Sequence, residues 1–268
     1  MVNVTTHSDS VPPAAKMLVA RGAHIQSVNS LACEVIDRLA SRARGTRRRD
    51  HLAVNGLASA LLKLDGGREA LRLVQGQLAL GAEVERVYLE DMVGAVNQIG
   101  AAWERGDLSA TNMTQCANRM VTLMHALSAR ADMRSPRLDL RAVLAPVPGE
   151  PHNLGVQMAA DLMQRDGWQI ELMLDRSQDQ LLSDLSRCDS GLLGLSVTCD
   201  AGLGALAPLL TEIRVRRPDL RVLVAGQMMS DPEIAATISA DATAGDYATA
   251  RDRMLGLSRD LRAGVLHS

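Results

Sequence analysis

The residues of this chain that could do chemistry fall in three short strings. The first is Pro146-Val147-Pro148-Gly149-Glu150-Pro151-His152-Asn153-Leu154-Gly155. Its prolines and glycine stiffen the backbone, and it delivers His152 just ahead of a helix that opens near Gly155. A neutral imidazole in such a place is a competent metal ligand. Glu150, two residues earlier, can accept the other ring N–H and fix the tautomer. A lone loop histidine more often only hydrogen-bonds locally, so this string needs company. It has it in Ser196-Val197-Thr198, which supplies two hydroxyls, and in Ala225-Gly226, which supplies small residues.

The elements that must position these strings follow from periodicity. From residue 138 onward, short apolar runs at 138–146, 168–174, 191–198, 220–225 and 240–244 read as strands. Helical patterns at 154–165, 178–187, 203–216, 232–239 and 247–261 fill the gaps. This alternation predicts a five-stranded parallel sheet with helices on both faces, a doubly wound, Rossmann-like α/β domain. Ligands of such sheets bind outside the carboxyl ends of the strands, and all three strings fall there.

Ahead of this domain the grammar is helical. Val84, Tyr88, Met92, Ile99 and Trp103 recur at helical steps, Gly106 interrupts, and Asp107 or Ser109 can cap the next helix. Met113, Ala117, Met120, Met124, Leu127 and Ala131 then repeat at steps of four and three, which predicts a packed helical bundle. Arg134-Ser135-Pro136-Arg137 reads as a linker. The expected division is a partly flexible N-terminal region at 1–67, a helical bundle cap at 68–133 and the α/β domain at 138–268. Within the first region, residues 27–39 carry a helical pattern. The arginines Arg38, Arg42, Arg44, Arg47, Arg48 and Arg49 could touch DNA or an acidic protein. The plainer reading is a solvated face, diluted by Asp37 and Asp50.

Composition narrows the classes. The 268 residues, 47% of them hydrophobic, can build one large or two modest domains. With two Trp, two Tyr and no Phe, the core must be Leu, Val, Ala, Met and Ile, and each Trp merits a reason. A formal net charge of −2 gives no global case for nucleic acid or a membrane surface. No apolar run approaches the roughly 18 residues of a transmembrane helix, and residues 1–13 lack the apolar core of a signal peptide. Cys33, Cys116, Cys188 and Cys199 form no C-x-x-C pair, so neither a zinc site nor a disulfide framework is indicated. A cytoplasmic protein with reduced thiols is expected.

In order, spacing and placement, E-x-H-x-x-G, S-x-T and A-G resemble the D-x-H-x-x-G, S-x-L and G-G signature of cobalamin-binding domains. The resemblance implies that His152 is the lower axial ligand of cobalt, displacing the cofactor's own dimethylbenzimidazole, with Glu150 supporting it. The freed nucleotide tail would thread beside the sheet, past Gly155, Ser196, Thr198 and Gly226. Glu150 replaces Asp, Thr198 replaces Leu and Ala225 replaces the first Gly of that signature. Ala102-Trp103-Glu104-Arg105-Gly106-Asp107-Leu108-Ser109 resembles the helical cap of corrinoid methyl carriers and cobalamin-based light sensors, which implies that Trp103 covers the upper face. Where light-sensing repressors continue to a Glu-His pair, this chain has Met113-Thr114. His125, farther along the same helix, carries little weight as a ligand.

Over about residues 68–262 the chain is similar to the cobalamin-binding antirepressors that regulate photosynthesis genes in purple bacteria. That resemblance implies a light-responsive transcriptional regulator rather than an enzyme, holding adenosylcobalamin or hydroxocobalamin. It would act on a repressor or other transcription factor, with weak or absent direct DNA binding. Two other readings stay open: a corrinoid methyl carrier serving methyltransferases, and a sensor of the same fold whose histidine serves haem iron. An isomerase is disfavoured, because its catalytic barrel has no room here.

Overall fold

The structure, a computed structural model, describes residues 50–63, 65–128, 138–150 and 153–265. The helical pattern at 27–39, the arginines Arg38 to Arg49 and the linker Arg134 to Arg137 lie outside these residues.

Four helices come first. They are α1 (Asp50–Leu62), α2 (Gly66–Ala79), α3 and α4 (Ala110–Ser128). Helix α3 runs as Val84–Arg86, a π-helical stretch Val87–Met92 and Val93–Glu104. Gly106, at φ +78, lets the chain reverse after α3. Ser109 then starts α4: its hydroxyl accepts from the Asn112 N–H while the Asn112 side chain accepts from the Ser109 N–H. Much of the expected stripes is buried, with Tyr88, Met92 and Ile99 on α3 sharing one core with Met113, Met120, Met124 and Leu127 on α4, while Val84 and Trp103 are half-buried and Ala131 lies outside the described residues. The helical core starts earlier than residue 68. Leu57 and Leu61 of α1 belong to the same apolar cluster, so α1 is structurally part of the bundle rather than of a separate N-terminal region.

The remainder alternates strand and helix. It runs β1 (Arg141–Pro146), α5 (Leu154–Arg165), β2 (Gln169–Leu172), α6 (Gln178–Arg187), β3 (Leu192–Ser196), α7 (Asp200–Arg216), β4 (Arg221–Ala225), α8 (Pro232–Thr237), β5 (Ala242–Ala244) and α9 (Tyr247–Val265). All strand pairs are parallel, in the order β2-β1-β3-β4-β5. This is the doubly wound five-stranded sheet that the alternation predicts. Val143, Ala145, Leu193, Leu195, Val222 and Val224 pack under α6 and α7. Their neighbours Ala142, Leu144, Leu192 and Leu223 face α5 and α9. Both faces are therefore covered, as parallel sheets require.

The two parts meet along α5. Its Leu154, Met158 and Leu162 enter the helical core, while Val156, Ala160 and Met163 enter the sheet core. Arg165 closes the seam: it pairs with Asp161 at 2.8 Å and donates to the Leu127 carbonyl in the last turn of α4 at 2.7 Å. Among the described residues no helix is long and apolar enough to cross a membrane.

Candidate cofactor site

The strand order reverses direction between β1 and β3, the point where open α/β sheets form a crevice at their carboxyl edge. The loop leaving β1 turns sharply there. Glu150 N–H donates to the Val147 carbonyl at 2.8 Å, with Pro148 and Gly149 in the middle and Gly149 at φ +85. That is a type II turn, which asks for proline first and glycine second. Its anchor is Val147, whose N–H donates to the Ser196 carbonyl of β3 at 2.9 Å.

The turn sends Glu150 inward. Its carboxylate is buried and accepts from the Thr198 N–H at 2.9 Å and the Thr198 hydroxyl at 2.8 Å. The Cys199 thiol stands 3.5 Å away, and burial, reinforced by the Glu150 charge, pushes that thiol up. The first and second motif strings are thus joined by a carboxylate at the mouth of α7. His152 lies outside the described residues.

Behind this edge lies a cavity of about 610 Å³, within the size range of small-molecule sites. Leu144, Leu223, Met158, Met163 and Met254 give it apolar walls. Gly155, Ser196, Thr198 and Gly226 all line it, so four of the residues singled out from the sequence share one space. The Thr198 hydroxyl is committed to Glu150, whereas the Ser196 hydroxyl has no hydrogen-bond partner among the described residues. Gly226 has a second reason to be glycine. It sits at φ +128, and a Cβ there would collide with the carbonyl oxygen of Val197. Its freedom serves the crossing of two loops as well as access to the cavity.

Trp103 is half-buried against the helical core and does not line the cavity. Thr114 turns its hydroxyl back onto the Ala110 carbonyl, Met113 is buried and His125 is exposed. Among the described residues, no group of three His, Cys, Asp or Glu side chains could hold a metal ion.

Sequence reasoning missed the wall that comes from elsewhere. Leu89, Val93 and Asn97 of α3 and Tyr247 and Arg251 of α9 line the same cavity. Tyr247 packs on both the helical and the sheet cores, and Arg251 lies 5.9 Å from its ring and pairs with Glu85 and Asp166. One signal was available: Asn97 is a polar residue at a four-residue step on the otherwise apolar Leu89–Val93 stripe.

No protein-family model matches the chain. It is 31% identical over 106 residues to a 20.5 kDa protein from the bchF–crtJ intergenic region of Rhodobacter capsulatus. That match covers 39% of this chain and 53% of the relative, so the chain spans about half the length of the curated relative it matches. Among solved structures, a cobalamin-binding protein from Desulfitobacterium hafniense DCB-2 is 18% identical, covering 77% of this chain and 97% of that one at a TM-score of 0.39. The monomethylamine corrinoid protein of Methanosarcina barkeri superimposes with a TM-score of 0.65 at 16% identity, over 77% of this chain and 96% of that one. Helices followed by a five-stranded parallel α/β part are therefore a fold this chain shares with a corrinoid protein.

Proposed function

We propose that this chain binds a cobalamin at the carboxyl edge of its sheet and uses it to regulate a partner transcription factor. The observation that carries the cofactor reading is the shared cavity: residues from all three motif strings, Gly155, Ser196, Thr198 and Gly226, wall one apolar space beside the sheet. The chain's residues suit that cofactor. Ser196 offers a hydroxyl at the cavity wall with no partner among the described residues, and the apolar walls suit an inserted aromatic base. His152 would hold cobalt from below, and Trp103 would cover the upper face. When bound as adenosylcobalamin, the group would supply a cobalt–carbon bond that light can cleave. The test is an absorption spectrum of the purified chain with cobalamin and, in parallel, with haem. A shift showing a displaced benzimidazole is expected, and His152→Ala should lose it while circular dichroism is kept. Unchanged spectra and affinity in that variant overturn the ligand assignment.

The regulatory half of the reading draws support from the Rhodobacter relative, which lies in a photosynthesis gene region. On this reading the chain is not an enzyme, and its own contact with DNA is weak. A ligand shifts a partner equilibrium only by binding two states differently, and a cavity walled by both α3 and the sheet can do so. A methyl-carrier role is the second reading, favoured by the superposition on the corrinoid protein of Methanosarcina barkeri. Pull-downs with dark and illuminated protein separate the two. Recovery of a transcription factor in one state supports regulation, and recovery of a methyltransferase alone supports the carrier.

A further inference from the structure

The cavity runs down one face of the sheet as a slot. Leu144, Gly194 and Leu223 line it as one row, paired across β1, β3 and β4. That row lies two residues, roughly 7 Å, below the strand ends at Pro146, Ser196 and Ala225. On α5 the lining extends from Gly155 to Met163, roughly 12 Å along the helix, and on α9 from Tyr247 to Met254, roughly 10 Å. Both helices run back from the carboxyl edge, so Met163 and Met254 are their lining residues farthest from it. Both are buried. Methionine is unbranched and polarisable and refits around partners of different shape, which is why broad-specificity sites use it. Several polar side chains bordering the slot are engaged within the protein. The Thr198 hydroxyl donates to Glu150, Ser230 to the Gly245 carbonyl, Asp246 accepts from Thr249, and Arg251 pairs with Glu85 and Asp166. The two methionines offer contact area there, with no directional hydrogen bond.

We propose that Met163 and Met254 make the far end of this slot adaptable, so that the chain accepts corrinoids whose lower bases differ in size and polarity. This rests on the cobalamin reading and deepens it, naming the ligand class as corrinoids of varied base and the residues that set that breadth. A wall that hydrogen-bonds one base rejects analogues lacking the matching group, whereas a wall of methionine loses little when one aromatic base replaces another.

The test titrates the full chain with cobalamin, with the corresponding corrinoids bearing adenine or phenol as the base, and with cobinamide, which has no base. Free corrinoids differ in how readily they release the base, so each affinity is corrected for the released fraction found by acid titration. It is then referred to cobinamide on the same protein. Wild-type affinities for the three base forms should then fall within about fivefold of one another. Met163→Ile and Met254→Ile place a stiff, branched side chain at the far end, and each should spread the three to about tenfold or more. If either variant melts early, Met163→Leu or Met254→Leu, closer to methionine in shape, takes its place and should widen the spread in the same direction. A wider spread in the wild type overturns the proposal, as does a folded variant that keeps the wild-type spread. Base forms that bind no better than cobinamide would overturn it too while leaving corrinoid binding in place. Failure of all four corrinoids to bind the wild type would remove the cobalamin reading itself, and the proposal with it.

Discussion

Glu150 and Thr198, 48 residues apart, make a two-point contact in which one carboxylate takes both the N–H and the hydroxyl of the threonine. The contact fixes the loop after β1 to the loop after β3, on either side of the crevice. Thr198→Val keeps the N–H bond and loses the hydroxyl bond, so it should cost about 1 kcal/mol in urea unfolding. Glu150→Ala loses both and strands a buried N–H, and should cost about 2 kcal/mol or more. Equal, negligible effects would show that the contact does not hold the loops.

Gly226→Ala should destabilise the protein by about 2 kcal/mol, because its backbone conformation is open essentially to glycine alone and the new Cβ would strike the Val197 carbonyl. Thermal unfolding measures this. A variant as stable as the wild type would leave access to the cavity as the only reason for glycine there.

Asp241 links stability to pH. Burial alone would raise its pKa, but the Val222 N–H and the guanidiniums of Arg214 and Arg221 outweigh that and hold the carboxyl below the usual aspartate range. With a folded value below the unfolded one of about 4, its contribution is complete above pH 4 and is lost as pH falls through the lowered folded value. Asp241→Asn should therefore flatten the acid limb of the stability profile. A parallel profile in the variant would contradict this.

Arg165→Met removes the ion pair to Asp161 and the bond to the Leu127 carbonyl while keeping an apolar stem. A loss of about 2 kcal/mol is expected, since Asp161 remains buried without its guanidinium. Amide exchange should rise in the last turn of α4. Unchanged exchange there would mean that the seam is held by its apolar contacts alone.

Trp103→Ala should change the preference among cobalamins with different upper groups, and illumination of the adenosylcobalamin complex should perturb Trp103 fluorescence. Trp168, buried in the sheet core, is the internal control. An identical preference in the variant would leave Trp103 a packing residue of the helical core.

The fold was largely legible because local signals and tertiary demands agree. Helix α6 begins where Ser177 and Gln180 form a reciprocal cap, and α5 spans the apolar stripe that the sequence displays. Helix α7 starts three residues before the expected Leu203, because Asp200 and its neighbours show no apolar period. Strand ends were overextended for a related reason. Val197 and Thr198 read as a continuing apolar run, yet they leave β3 to meet Gly226 and Glu150. The motif edge was legible because its residues sit at strand ends in a fixed order. The opposite wall was not. Nothing in the spacing of Asn97 and Tyr247 says that α3 and α9 face each other across the same space, since that depends on how two cores dock.

Helix α5 has almost no outside. Between Leu154 and Arg165 only Gln164 is exposed, and the apolar positions divide between two cores. Its amide protons reach solvent only when one of those cores opens, so α5 should rank among the slowest-exchanging segments. Away from the cavity, at Ala160 or Leu162, a larger side chain has no free space to enter and must press on one core or the other.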